Sequence, residues 1–197
     1  MSKVVVFTNL SLDGVMQAPA RTEEDPRDGF LHGGWALPYA AMQAPEARES
    51  LGETGALLLG RRTYEAMYDF WPKQTNNPIT HTLNTMPKYI ASTTLSEPLA
   101  WSNSTLLSGD ASEALARLKQ ELDKDLMVMG SGELIQSLMR RNLVDKYVLL
   151  IHPLILGSGR RLFTQGSPFA TLRLLAASTT EKGVVVATYE PMESKTA

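Results

Sequence analysis

The stretch Leu57-Leu58-Leu59-Gly60-Arg61-Arg62-Thr63-Tyr64 is an apolar run that ends in glycine and passes at once into polar residues with helical spacing. It reads as a buried strand delivering two arginines and a threonine to a helix start, with Tyr64, Met67 and Tyr68 recurring at i, i+3 and i+4. A second junction has the same form. Leu126-Met127-Val128-Met129 runs into Gly130-Ser131-Gly132 and then into a helix over 133–141, with Leu134, Ile135, Leu138 and Met139 on its inner face. Strand followed by helix, repeated, is the grammar of a parallel sheet covered by helices on both faces.

Working outward, Val4-Val5-Val6-Phe7 opens the chain as a strand, and Asp13-Gly14 marks a turn after it. Residues 17–34 carry prolines, glycines and charges without periodicity, which predicts a long surface loop of the lid or binding kind. A short helix over 46–53 leads to the strand Ala56-Leu57-Leu58-Leu59, and Tyr89-Ile90-Ala91 is a third strand. Asp110-Ala111-Ser112-Glu113 has capping-box spacing and opens a helix with Leu115, Leu118 and Leu122 on one face. A fifth strand covers 147–151. The segments 172–177 and 184–189, joined around Glu181-Lys182-Gly183, then predict an antiparallel hairpin. The expected fold is α/β, a mostly parallel central sheet flanked by helices with a C-terminal antiparallel hairpin, as a single domain over 1–197.

The chain has 197 residues, enough at roughly 150 per domain for one well-buried core. It contains no cysteine, which excludes a disulfide scaffold, a thiolate metal site and a cysteine nucleophile. A net charge of −2 with no basic block argues against nucleic acid as a partner. The longest apolar runs are strand-length, too short for a membrane span, and the start lacks the apolar stretch of a signal peptide, so a cytoplasmic protein is expected. His32, His81 and His152 lack metal-ligand spacing, and no Gly-x-Ser-x-Gly or phosphate-loop lysine motif occurs.

Both junctions suit anions. A helix N-terminus presents free N–H groups and partial positive charge, and an arginine fork fits phosphate oxygens. Thr63 as a mere helix cap beside solvated arginines is the other reading of the first junction, and an ordinary tight turn that of the second. A standard dinucleotide fingerprint is missing its third glycine: Ile135 stands in its place, and Leu162 stands there after Gly157-Ser158-Gly159.

Taken in order, Trp35-Ala36-Leu37-Pro38, Leu59-Gly60-Arg61-Arg62-Thr63-Tyr64, Ile90-Ala91-Ser92-Thr93 and Met129-Gly130-Ser131-Gly132 resemble the conserved blocks of the dihydrofolate reductase superfamily. Ser11-Leu12-Asp13-Gly14 and His152-Pro153-Leu154-Ile155-Leu156-Gly157-Ser158-Gly159 look more like the reductase domain of the bifunctional riboflavin-biosynthesis enzyme and its stand-alone relatives. The resemblance implies NADPH as cofactor. Gly60, Arg61 and Thr63 would lie at its phosphates, Ser92 and Thr93 at the adenosine 2′-phosphate, and Gly130, Ser131 and Gly132 at the diphosphate, with Gly132 in a positive-φ turn. The nicotinamide would lie near Asn9 and Leu10, over a substrate pocket walled by Trp35 and Leu37. The implied reaction is hydride transfer to a small pyrimidine- or pterin-like acceptor; dihydrofolate reduction and non-catalytic nucleotide binding are the alternatives. Asp13, Asp28 and Tyr39, in or beside the loop, are weak candidates for the proton source, with water an equal one. Such reductases are often homodimers, and the late hairpin offers a surface for one.

Two positions depart from the dihydrofolate reductase pattern. Ala40 stands where those enzymes carry a pterin-binding carboxylate, and Ile151 where they carry a threonine. Losing a buried charged hydrogen bond to substrate costs on the order of 3 kcal/mol, a rate factor above about 100. Turnover of dihydrofolate with NADPH should therefore be near background, and Ala40→Asp should raise it; a steady-state assay of both proteins checks this, and wild-type turnover within about tenfold of an ordinary dihydrofolate reductase would refute it.

Overall fold

Alternation along each strand decides which side chain meets which layer. In the computed structural model, which describes residues 2–39, 41, 45–75, 78–107 and 111–192, the opening run is β1 (Val4–Ser11). It is longer than its apolar start because Thr8 and Asn9 continue the ladder as far as the Ser11–His152 pair. β2 (Thr54–Gly60), β3 (Lys88–Ala91), β4 (Ser104–Leu107), β5 (Asp125–Gly130) and β6 (Lys146–His152) join it in parallel. β7 (Leu172–Thr179) and β8 (Val185–Pro191) form the predicted antiparallel hairpin, and β8 pairs with β6. The sheet order is β4-β3-β2-β5-β1-β6-β8-β7.

Val4, Val6, Ala56, Leu58, Leu126 and Val128 face one side, against Leu115 and Leu118 of α4 (Ala111–Glu121) and Leu134, Ile135 and Leu138 of α5 (Gly132–Arg140). Their neighbours Val5, Phe7, Leu57, Leu59 and Met127 face the other, against Ala47 of α1 (Pro45–Glu53), Tyr64 of α2 (Arg61–Phe70) and Leu83 of α3 (Pro78–Thr85). Continuous apolar strands are what two covered faces require. Asp110, the expected cap of α4, lies outside the described residues.

α3 and β4 were not expected from the sequence. Pro-Ile-Thr-His-Thr-Leu-Asn-Thr has few apolar residues to set a helical stripe, and β4 has four residues. Tertiary bonds hold them. The fully buried Lys88 donates from Nζ to the carbonyls of Leu83 and Met86, both at 2.7 Å, and lies 4.6 Å from the ring centroid of Trp101. The Trp101 indole donates to Asn84 Oδ1 at 2.7 Å. Lys88 thereby satisfies carbonyls at the C-terminal end of α3 that would otherwise be orphaned.

Because β1, β2, β5 and β6 are parallel, their C-terminal ends open on one side, where open α/β sheets bind ligands. The loops there are 12–39, the turn into α2, the turn into α5 and the segment 153–171. Lys88→Met should lower stability by about 1–3 kcal/mol, since the buried carbonyls lose their donor; denaturant unfolding of the variant beside wild type measures it.

Candidate functional site

β2 and β5 are neighbours, and Leu59 pairs with Gly130 at their ends. α2 begins at Arg61 and α5 at Gly132, so two helix N-termini emerge side by side. Neither Gly60 nor Ser131, the residues that precede the helices, supplies a side-chain cap. Glycine is required at both strand ends. A Cβ on Gly60 would lie 2.4 Å from Ser131 Oγ, and one on Gly130, at φ +150, would lie 2.6 Å from Thr63 Oγ1.

A cleft of about 1050 Å³ opens above these turns, lined among others by Asn9, Arg61, Thr63, Gly130, Ser131 and Gly132. Six residues expected at a cofactor therefore share one cavity. Gly60 packs beneath Ser131. Ser92 and Thr93 follow Ala91, the cross-strand partner of Gly60, and so stand beside the start of α2 without lining the cleft. The Ser92 hydroxyl accepts the N–H groups of Thr94 and Leu95, closing a local turn. Gly132 differs from its expected turn: it is the first residue of α5 with no positive φ, and a Cβ there would meet only the flexible Met16 side chain, at 3.0 Å from Sδ. The residue at positive φ is Gly130.

Most of the cleft's arginines are matched by carboxylates. Arg61 pairs with Glu65 at 3.1 Å, Arg21 with Asp69 at 3.1 Å, and Arg27 with Asp25 at 2.5 Å. Arg160 bridges Asp28 at 2.9 Å and Glu133 at 3.5 Å. Arg21 also donates to the carbonyl of Ala66 and lies over the Phe70 ring, fastening the 12–36 loop to α2. That loop covers the cleft, since residues 16–21 and 24–27 line it.

The three expected proton sources lie elsewhere. Asp13 accepts from Ser11 Oγ at 2.7 Å, from the N–H groups of Leu156 and Gly157 at 3.1 and 3.0 Å, and from Arg161 at 3.1 Å. These donors, Ser11 first, hold its carboxyl well below the usual range, so it is an ionised staple between the first and last loops. Asp28 is exposed in a turn at φ +56 and paired with Arg160. Tyr39 packs edge-on against His152 with ring centroids 5.1 Å apart. None of the three lines the main cleft.

Two residues that were not site candidates matter instead. Glu24 lines the cleft; its Oε2 accepts the N–H groups of Ala20 at 2.8 Å and Arg21 at 3.2 Å, and burial pushes its carboxyl up. His152 is fully buried, with Nε2 2.9 Å from Asn9 Oδ1, and burial lowers its imidazole to about 4. A run of Glu-Glu-Asp in a loop carries no motif that singles it out, and His152, although it opens a block that resembles the riboflavin-type reductase domain, is assigned no role by that block. Trp35 is buried, donates to the Gln17 carbonyl at 2.7 Å and meets His152 edge-on at 5.1 Å, and Leu37 is 64% exposed; neither of these two expected pocket walls lines the cleft. Ile151 lies on β6, paired with Leu10 and Val185. Ala40 lies outside the described residues.

Residues 2–186 match the RibD C-terminal domain family. The chain is similar to YyaP of Bacillus subtilis, described as an uncharacterized protein, at 26% identity over 168 residues, 82% of this chain and 88% of that one. A crystal structure of a putative riboflavin biosynthesis protein from Shewanella sp. PV-4 superposes with a TM-score of 0.72 at 19% identity, covering 96% of this chain and 99% of that one. Dihydrofolate reductase from Enterococcus faecalis, solved with NADP(H), gives 0.59 at 14% identity over 96% of each chain. These structures share the fold.

The close approach at Gly130 sets a testable asymmetry. Gly130→Ala should destabilise the protein by about 1–3 kcal/mol, through positive φ and the clash with Thr63, while Gly132→Ala should be tolerated within about 0.5 kcal/mol. Thermal denaturation of the two variants side by side checks the order.

Proposed function

Given that the chain belongs to the RibD C-terminal domain family, we propose that it is an NADPH-dependent reductase of the riboflavin-biosynthesis type, acting on a small pyrimidine- or pterin-like acceptor. The observation that carries this reading is the pair of uncapped helix N-termini, of α2 and α5, opening into one cleft with Asn9. Neither residue that precedes the helices caps the first-turn N–H groups with a side chain, and Gly60 and Gly130 leave no Cβ to crowd the two turns. These residues fit a dinucleotide with an extra phosphate. Arg61 and Thr63, with Ser92 and Thr93 beside them, would hold the 2′-phosphate, and Gly130, Ser131 and Gly132 the diphosphate. When bound, NADPH supplies the hydride.

The chain's own residues do the remaining work. Residues 16–27, fastened by Arg21 to α2, screen the cleft from water. Reduction of a C=N or C=O bond also needs a proton, and Glu24, whose carboxyl burial pushes up, is the cleft carboxyl suited to deliver one. Among the cleft carboxylates of the described residues, Asp25, Glu65, Asp69 and Glu133 each face an arginine or lysine. Glu24 takes two backbone N–H bonds on Oε2 and no ion pair, which leaves Oε1 to carry the proton toward the acceptor.

No helix among the described residues is long and apolar enough to cross a membrane. We place the protein in the cytoplasm as one domain over 1–197. A homodimer through the hairpin is supported by the exposed apolar face of the edge strand β7, where Leu174 and Leu175 lie open.

NADPH oxidation in the presence of a phosphoribosylamino-pyrimidine or dihydrofolate tests the reaction, and turnover of the pyrimidine above that of dihydrofolate is expected. Arg61→Ala should weaken NADPH by about tenfold and NADH far less, because the phosphate displaces an exposed Glu65 pair that is itself worth little. Equal loss for both cofactors in a titration would remove the 2′-phosphate from Arg61.

A further inference from the structure

His152 ends β6 as a fully buried polar residue that takes no part in lining the cleft, yet it bonds a residue that does. Its ring sits between Trp35 and Tyr39, nearly perpendicular to both, with centroids 5.1 Å from each. Packing alone does not call for an imidazole here: an apolar ring would fill the same space without burying two nitrogens. Among the described residues, Nδ1 has no hydrogen-bond partner. A proton on Nδ1 would be a buried donor with nothing to receive it, so the neutral ring carries its hydrogen on Nε2 and donates it to Asn9 Oδ1.

That bond decides how the Asn9 amide is turned. With Oδ1 engaged by His152, the two N–H donors of Nδ2 are left for the cleft. Asn9 lies on β1, the strand beside β5, so it stands next to the strand that ends in the Gly130 turn. An asparagine free to flip would offer a donor in one orientation and an acceptor in the other. One held by a buried ring offers only the donor, with its ordering cost met before a ligand arrives.

We propose that His152 is a positioning residue that fixes the Asn9 amide, so that Nδ2 donates to the carboxamide oxygen of a nicotinamide bound in the cleft. The inference rests on the NADPH reading above and adds to it the group that selects the nicotinamide end. It also explains why a histidine, rather than an apolar residue, ends β6 beneath the aromatic pair.

Two measurements on the full chain test it. Nitrogen NMR of histidine-labelled protein should show the Nε2–H tautomer; an Nδ1–H tautomer would overturn the proposal whatever the protein binds. Titrations with NADPH and with adenosine 2′,5′-bisphosphate, which lacks the nicotinamide, should show His152→Phe weakening NADPH by about tenfold while leaving the bisphosphate within about twofold. His152→Gln, whose amide can still donate to Asn9, should recover part of the loss. Asn9→Ala removes the donor without touching the buried rings and must reproduce the NADPH-selective effect even if His152→Phe fails to fold. Undiminished NADPH affinity in Asn9→Ala, or equal loss of both ligands in it, overturns this inference alone. Wild type binding neither ligand overturns the NADPH reading and the inference with it.

Discussion

The cleft exists because β2 and β5 end side by side with no Cβ between them. Thr63, in the first turn of α2, sets its hydroxyl against Gly130 of the other strand, and Ser131, just before α5, sets its hydroxyl against Gly60. The contacts are reciprocal, so neither junction can shift without moving the other. They bring together the positive ends of two helix dipoles, an arrangement that is unfavourable until something negative lies between them. The protein places no cap from Gly60 or Ser131 there. On the proposed reading, affinity for an anion is thus a consequence of how the strands pack.

This source of attraction is compatible with a chain of net charge −2. Arg21, Arg27, Arg61 and Arg160 all line the cleft, but each is paired with an aspartate or glutamate, so side-chain charge largely cancels at its walls. Two of those pairs, Arg21–Asp69 and Arg160–Asp28, fasten the 12–36 loop to α2 and to the segment after β6. They are partly exposed and individually weak. Their role is geometric: together with the Asp13 staple and the Arg21 contact with Phe70, they keep a long irregular loop over the strand ends.

The strands and the two glycine junctions were legible in the sequence because each rests on local information: Val4-Val5-Val6-Phe7 cannot be a surface segment, and Leu59-Gly60-Arg61 changes character in one residue. The late hairpin was legible for the same reason. α3 and β4 were hidden because the contacts that stabilise them come from Lys88, Trp101 and Asn103, residues distant from the helix in sequence or belonging to other elements. At the candidate site, Asn9 and most residues of the two glycine junctions fell together in the cleft, while Ser92, Thr93, Trp35 and Leu37 from the same resembling blocks, and the acids ranked by chemistry alone, did not. Asp13 drew notice as an acid beside a turn, yet acidity depends on surroundings that only the fold supplies. Leu37 followed Trp35 in the resembling block, but the turn that buries Trp35 sends Leu37 to solvent.

Asp13 and Glu24 make the point in opposite directions. Both are carboxylates on the same loop. Asp13 meets a hydroxyl, two backbone N–H groups and a guanidinium, all of which favour the anion, so its proton is lost far below neutrality. Glu24 meets two N–H groups on one oxygen and is otherwise buried, and burial outweighs them, so it keeps a proton more readily than an exposed glutamate. The distinction separates two tasks the sheet could not combine. The strand ends and helix starts are fixed by close packing and suit a ligand of constant shape, the proposed cofactor. The loop, whose side chains are set by a few polar bonds, can change its acid and its lining without disturbing the glycine junctions. On the proposed reading, the acceptor is therefore chosen by residues 16–27, while the cofactor is held by the strand ends, the helix starts and the Asn9 amide, elements that cannot move apart.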